Sequence, residues 1–138
     1  MVGENPGPGR NAEIVRRSIA AYNRRDLEAL RELNHPELEL DWSASRGLRA
    51  RRFEGVENVL RFYKDFFDTF DEIRLDPERL IPSGDLVVVP NTARMRGRDG
   101  VETVARSALV FEVKGGRIAA IRLFQTADEA LEAAGLSE

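Results

Sequence analysis

The apolar positions Ile14, Val15, Ile19 and Tyr22, with Ser18 among them, step at helical spacing from residue 11 onward, while Arg16, Arg17, Arg24 and Arg25 fall mostly elsewhere. That pattern predicts an amphipathic helix. Asn11 is placed to cap it, because its side-chain oxygen can accept from the first orphan N–H groups. Asp26 can do the same for a second, short helix carrying Leu27, Leu30 and Leu33, which Pro36 stops. Leu38, Glu39, Leu40, Asp41 and Trp42 alternate with period two and predict a short strand, followed by a polar loop over 43–52. The strongest helical signal comes next. Val56, Val59, Leu60, Tyr63, Phe66, Phe67 and Phe70 follow the i, i+3, i+4, i+7 rule, and Phe62 widens the stripe.

From Glu72 the period changes to that of strands. Turn signals at 82–85, 97–100 and 114–116 separate segments 73–81, 86–96, 101–113 and 117–125, and turns this short imply antiparallel pairing. Thr126 and Glu129 form a capping box opening a last helix that Gly135 ends. Helices followed by a run of strands predict an α+β fold with helices packed on one face of the sheet. Both parities of the long strands carry apolar residues: Val87 and Val89 against Leu86 and Val88, Leu109 and Phe111 against Ala108 and Val110. An apolar second face mixed with arginine leads us to expect a homodimer through the sheet.

Composition narrows the chemistry. The length of 138 residues with 42% hydrophobic content suits one domain, here 11–138, preceded by a Gly- and Pro-rich lead-in, 1–10, expected to be disordered. With 21 basic against 24 acidic residues the net charge is −3, so no nucleic-acid or anionic-lipid partner is expected. No apolar run approaches the roughly 20 residues that cross a bilayer, and a cytoplasmic protein is expected. The absence of cysteine and the single histidine, His35, exclude thiolate chemistry and make a histidine-rich metal site or a Ser-His-Asp triad a poor fit. There is no phosphate-cradling glycine loop, dinucleotide motif or metal cluster, so neither cofactor nor metal is expected.

With the elements in place, the chain resembles the SnoaL-like group of the nuclear-transport-factor-two-like superfamily. The resemblance rests on 22–30 (YNRRDLEAL), 35–43 (HPELELDWS), 53–59 (FEGVENV), 84–89 (GDLVVV), 115–118 (GGRI) and the closing Phe124-Gln125. It implies a cone-shaped fold, in which a curved, mixed or antiparallel sheet wraps around the N-terminal helices and leaves an apolar pocket. It does not choose an activity, because members of such a family include cyclases, isomerases, dehydratases, epoxide hydrolases and proteins that only bind.

In the register the resemblance implies, Asn91, Ser107, Leu109, Ile121, Leu123 and Gln125 face the pocket, with Tyr22, Trp42, Phe62 and Phe66 beside them and Tyr63, Met95 and Phe111 contributing. Asp41 and Trp42 lie on the first strand, where isomerase-like relatives keep a proton-moving carboxylate; the resemblance puts Trp42 at that position and Asp41 beside it facing the other side, and a shift of one residue would exchange them. Facing an apolar wall, Asp41 would have a raised pKa and act as a general base, with Asn91, Ser107 or Tyr22 holding the developing oxyanion. Facing outward it is a solvated strand-end carboxylate. The isomerases' first-helix tyrosine falls at Ser18 and their second acid near Leu109, which removes the usual oxyanion donors. Asn91 and Gln125 either donate to a ligand or bond to nearby backbone. Arg46, Arg49, Arg51 and Arg52 either clamp an anionic ligand or lie solvated. Two functions therefore stand: a cofactor-independent isomerase, cyclase or dehydratase acting by proton transfer on an apolar oxygenated molecule, and a non-catalytic binding or accessory protein with the same pocket.

Overall fold

The computed structural model describes residues 8–44 and 51–136. Their order is α1 (Pro8–Asn23), α2 (Leu27–Leu33), β1 (Asn34–Asp41), β2 (Arg52–Glu54), α3 (Val56–Thr69), β3 (Phe70–Pro77), β4 (Ile81–Ser83), β5 (Leu86–Gly97), β6 (Glu102–Lys114), β7 (Arg117–Phe124) and α4 (Ala127–Ala133). The strands form one sheet in the order β2-β1-β7-β6-β5-β3, with β4 pairing to β5. This is the α+β, helix-filled curved sheet expected. All pairs are antiparallel except β1 with β7, which run parallel. No helix among the described residues is long and apolar enough to cross a membrane.

Several boundaries differ from the sequence reading for physical reasons. α1 starts at Pro8, inside the expected lead-in and ahead of Asn11; proline suits a first turn, where its missing N–H would be an orphan anyway. Residues 1–7 lie outside the described residues. Asn11 is not the cap. It is buried within α1 and its Nδ2 donates to the Gly84 carbonyl at 3.3 Å, fastening the helix to the turn between β4 and β5. Pro36 falls inside β1, in the stretch between Asn34 and Glu39 where the ladder to β7 is irregular, so its missing donor breaks no ladder bond. Phe70 opens β3 instead of ending α3. The segment 73–81 is two strands divided after Pro77, and the expected loop 43–52 ends in β2, which pairs with β1. Asp26 and Thr126 do cap their helices, accepting from the N–H groups of Ala29 and Glu129.

The main core lies between the helices and the inner face of the sheet. Val15 and Ile19 of α1, Leu30 of α2 and Val59, Leu60 and Phe67 of α3 meet Leu38, Leu40, Val87, Val89, Phe111 and Ile121. A second cluster sits on the outer face, where α4 lays Ala130 and Leu131 over Val88, Ala108 and Val110. Much of the outer apolar surface from which we expected a dimer is thus covered within the chain.

Arg25 joins these parts. It is the one non-glycine residue with positive φ among the described residues, at 60°. Its guanidinium donates to the carbonyls of Phe67 at 2.9 Å, Phe70 at 3.2 Å and Asp71 at 2.9 Å, closing the C-terminal end of α3. Charged donors satisfy orphan carbonyls well. Truncation to Arg25→Ala should cost about 0.5–1.5 kcal/mol, the usual net worth of a hydrogen bond, since water can replace the donor at the exposed carbonyls, and urea denaturation followed by circular dichroism would measure it.

Candidate functional site

Because α1 and α3 meet the sheet only along part of its concave face, a cavity of about 730 Å³ remains between them. That is within the range of roughly 300–1,000 Å³ typical of small-molecule sites. Its sheet wall is built by strand alternation. One parity gives Asn91, Ala93 and Met95 on β5 and Thr103, Ala105, Ser107, Leu109 and Phe111 on β6, while Ile121 and Leu123 continue it on β7. Register aligns the polar pair Asn91 with Ser107 and the apolar pair Leu109 with Leu123. The helical wall carries Ser18, Ile19 and Tyr22 from α1 and Phe62, Tyr63 and Phe66 from α3, and Trp42 closes one end.

Of the site residues expected from sequence, Tyr22, Trp42, Phe62, Phe66, Asn91, Ser107, Leu109, Leu123 and Gln125 all line this cavity. The aromatic groups interlock. Tyr22 meets Tyr63 edge to face at 5.0 Å and Phe62 meets Phe66 at 4.8 Å, while Trp42 stands 6.0 Å from Phe62. Such geometry fixes ring orientation beyond simple burial. Ser18, Leu30, Phe70, Ile73 and Leu75 also line the cavity and were missed as lining. Ser18 was detectable, since it lies one turn before Tyr22 on the same helical stripe.

The polar inventory of the wall is short and mostly neutral. Asn91 is 2% exposed; its Nδ2 donates to the Ser107 Oγ at 3.2 Å and its Oδ1 is enclosed without a partner. Gln125 donates to the Ala44 carbonyl, so its amide ties the end of β7 to the segment after Trp42 instead of pointing unused into the cavity. Burial pushes the Tyr22 and Tyr63 hydroxyls far above the ordinary phenol range. Both stay protonated across the pH range where proteins fold, available as hydrogen-bond donors and unable to act as bases. Among the described residues Arg106 is the one charged lining residue, and it pairs with Glu78 at 2.7 Å.

Asp41 is not brought into this constellation. It follows Glu39 in parity, on the outer face, while Leu38 and Leu40 point inward. Its Oδ1 accepts from the Ser43 hydroxyl at 2.6 Å, and the Arg52 and Arg122 guanidinium groups stand 3.9 Å from its Oδ2. The expected raised pKa is therefore corrected: the Ser43 hydroxyl, then the Ser43 N–H and the two arginines, hold the carboxyl below its usual value. A folded pKa below the unfolded one contributes stability above about pH 4 that is lost as pH falls through the folded value. Asp41→Asn should accordingly flatten the acid limb of the stability curve, measured by thermal melts at stepped pH, and leave any cavity occupancy unchanged.

The remaining candidates stand apart. His35 Nδ1 accepts from the Glu37 N–H at 3.0 Å in an exposed stretch of β1, outside the cavity. Arg46 and Arg49 lie outside the described residues. Arg51 and Arg52 line a separate surface cleft.

Comparison with known proteins agrees with this geometry. The family described as SnoaL-like domain matches residues 15–121. An NTF2-like protein of unknown function from Burkholderia pseudomallei is 24% identical, with a TM-score of 0.74, over 91% of this chain and 97% of that one. TerC, crystallised with polyporic acid, is 20% identical, with a TM-score of 0.74, over 91% and 97%. An epoxide hydrolase of the LEH-like type from Mycobacterium tuberculosis is 15% identical, with a TM-score of 0.73, over 94% and 92%. At these identities the likeness is one of fold. No curated protein matches the sequence significantly.

Proposed function

We propose that this chain, which belongs to the SnoaL-like domain family, uses its cavity to hold a small, mostly apolar, oxygen-bearing molecule without transforming it. One observation carries the reading. Among the described residues, no aspartate, glutamate, histidine or lysine lines the cavity, and the segment 45–50 contains none either. Proton-transfer chemistry needs a group that titrates within hydrogen-bond reach of the substrate. Among the described residues the only candidates are two tyrosines held in the protonated state and an arginine already paired. What remains suits binding: aromatic and aliphatic walls for the body of the ligand, and the hydroxyls of Ser18, Tyr22, Tyr63 and Ser107 for its oxygen atoms. One structural neighbour, TerC, was crystallised with polyporic acid, which supports a ligand of this general character.

A thermal-shift series with neutral polycyclic ketones and phenols tests the reading. A ligand present at 100 times its dissociation constant adds about 2.7 kcal/mol to the folded state, enough to raise the midpoint by several degrees. Failure of every such compound to shift it would count against the proposal. For assembly, the reading retains a homodimer through the part of the outer face that α4 leaves bare. Val104 is 51% exposed there, flanked by the Arg94–Asp76 and Arg106–Glu78 pairs. Light scattering at micromolar concentration should give twice the chain mass, and a monomer would refute the dimer.

A further inference from the structure

Among the described residues, every side-chain amide but that of Asn91 reaches the backbone. Asn11 donates to the Gly84 carbonyl, Asn34 to that of Leu30, Asn58 to that of Glu54 and Gln125 to that of Ala44. Asn23 uses both ends, donating to the Leu75 carbonyl at 2.9 Å and accepting from the Leu75 N–H at 2.8 Å. These amides tie segments of the fold together, and Asn91 ties none. Its Nδ2 donates to the Ser107 hydroxyl at 3.2 Å, its Oδ1 has no partner, and the residue is 2% exposed. Asn11 and Asn34 also leave an Oδ1 unpaired, but neither lines the cavity. A buried acceptor without a partner costs free energy, and at Asn91 no tie to the backbone offsets that cost.

The placement of the pair is as informative as its bonding. Asn91 and Ser107 stand directly opposite each other across the ladder of β5 and β6, on the parity that lines the cavity, which brings both side chains to one point of the wall. On the same face they are flanked by apolar neighbours, Val89 and Ala93 along β5 and Ala105 and Leu109 along β6. Because the Ser107 oxygen accepts from Nδ2, its own hydrogen is left to donate. An acceptor and a donor therefore lie side by side in an otherwise apolar wall.

We infer that Asn91 and Ser107 select a hydroxyl on the ligand, so that the cavity takes an alcohol or phenol in preference to the corresponding ether or ketone. The inference rests on the cavity being the ligand site, and adds which polar group of the ligand is read and by which residues. A hydroxyl donates to Asn91 Oδ1 and accepts from Ser107 at once. A ketone or ether only accepts, and leaves Oδ1 unpaired. The last torsion of an asparagine side chain is soft, so a small turn of the amide brings Oδ1 to a ligand lying on the wall. A site built to pair with a hydroxyl rejects the analogue that lacks it far more strongly than an apolar wall can.

Equilibrium dialysis of the full chain against borneol, bornyl methyl ether and camphor, three compounds with one apolar body, tests this. Borneol should bind about tenfold or more tighter than either of the others. In the double variant Asn91→Leu/Ser107→Ala that preference should vanish, and the variant should melt no lower than the parent, since replacing both partners of a buried pair by apolar groups is nearly neutral. Ser107→Ala alone, which changes little volume, should already reduce the preference and serves if the double variant does not fold. Ala93→Trp, which fills the cavity, should abolish binding of all three. Equal affinity of the parent for borneol and its methyl ether, or a preference undiminished in the folded variants, would overturn the inference while loss of binding in Ala93→Trp still upheld the cavity as the ligand site. Binding that Ala93→Trp leaves untouched, or no saturable binding of any of the three, would overturn both.

Discussion

Ala93→Trp is expected to abolish uptake of neutral apolar ligands, weakening them by about 100-fold or more, equivalent to roughly 2.7 kcal/mol, while the fold survives. Ala93 sits at the middle of β5 on the concave face, paired in register with Leu75 of β3 and Ala105 of β6, and it is half-buried because the cavity lies above it. An indole there extends into open space instead of into packed neighbours, so the overpacking cost of about 1–3 kcal/mol seen in filled cores is largely avoided. Tryptophan also suits a strand. The prediction separates cavity from core: the same enlargement at a site with no space above it would unfold the protein. Equilibrium dialysis with a compound that shifts the parent's melting temperature gives the affinity, and circular dichroism gives the fold. Undiminished binding would mean that the ligand sits elsewhere.

Leu40→Ala should have the largest effect on stability, about 2–5 kcal/mol by the usual cost of a leucine deleted from a packed interior. Leu40 is fully buried and pairs with Phe53 on β2 and Ile121 on β7. β1 is the only strand joining β2 to the rest of the sheet, and α3 packs over it. A void at this position weakens the layer that supports Phe53, Phe62 and Trp42 together. Since small domains are stable by only about 5–15 kcal/mol, the midpoint of urea denaturation should fall sharply. A loss below about 1 kcal/mol would show that the site relaxes around the missing methyl groups.

How much of this was legible in the chain follows from the range of the forces involved. The helical stripe of α3 and the alternation of β5 to β7 are local patterns, and together with the register implied by the family resemblance they pointed to Phe62, Phe66, Asn91, Ser107, Leu109 and Leu123, which the structure places along one cavity. The caps at Asp26 and Thr126 are equally local. Asn11 was misread because its amide serves a carbonyl 73 positions away in sequence, a contact no short-range rule contains. The parallel pairing of β1 with β7 was likewise invisible, since no short turn joins them. The decisive ambiguity was Asp41 against Trp42. Alternation fixed that they face opposite ways, but which of them faces inward depended on register with a strand some 80 residues later, where Asp41 meets Arg122. Composition alone could not show that, among the described residues, no carboxylate, histidine or lysine lines the cavity; that required knowing which residues converge on it.

The central claim is that the cavity binds and does not transform its ligand. Trp42 is the only tryptophan and lines the cavity, so its fluorescence reports occupancy directly. We would titrate a neutral polycyclic phenol or ketone that shifts the melting temperature, then extract it after prolonged incubation and analyse it by mass spectrometry and chiral chromatography. The account predicts a saturable change in Trp42 emission, weakened by Tyr22→Phe, and quantitative recovery of the unaltered compound. Conversion to an isomer, cyclised product or dehydrated product at a rate above that of buffer, abolished by Ala93→Trp, would contradict it.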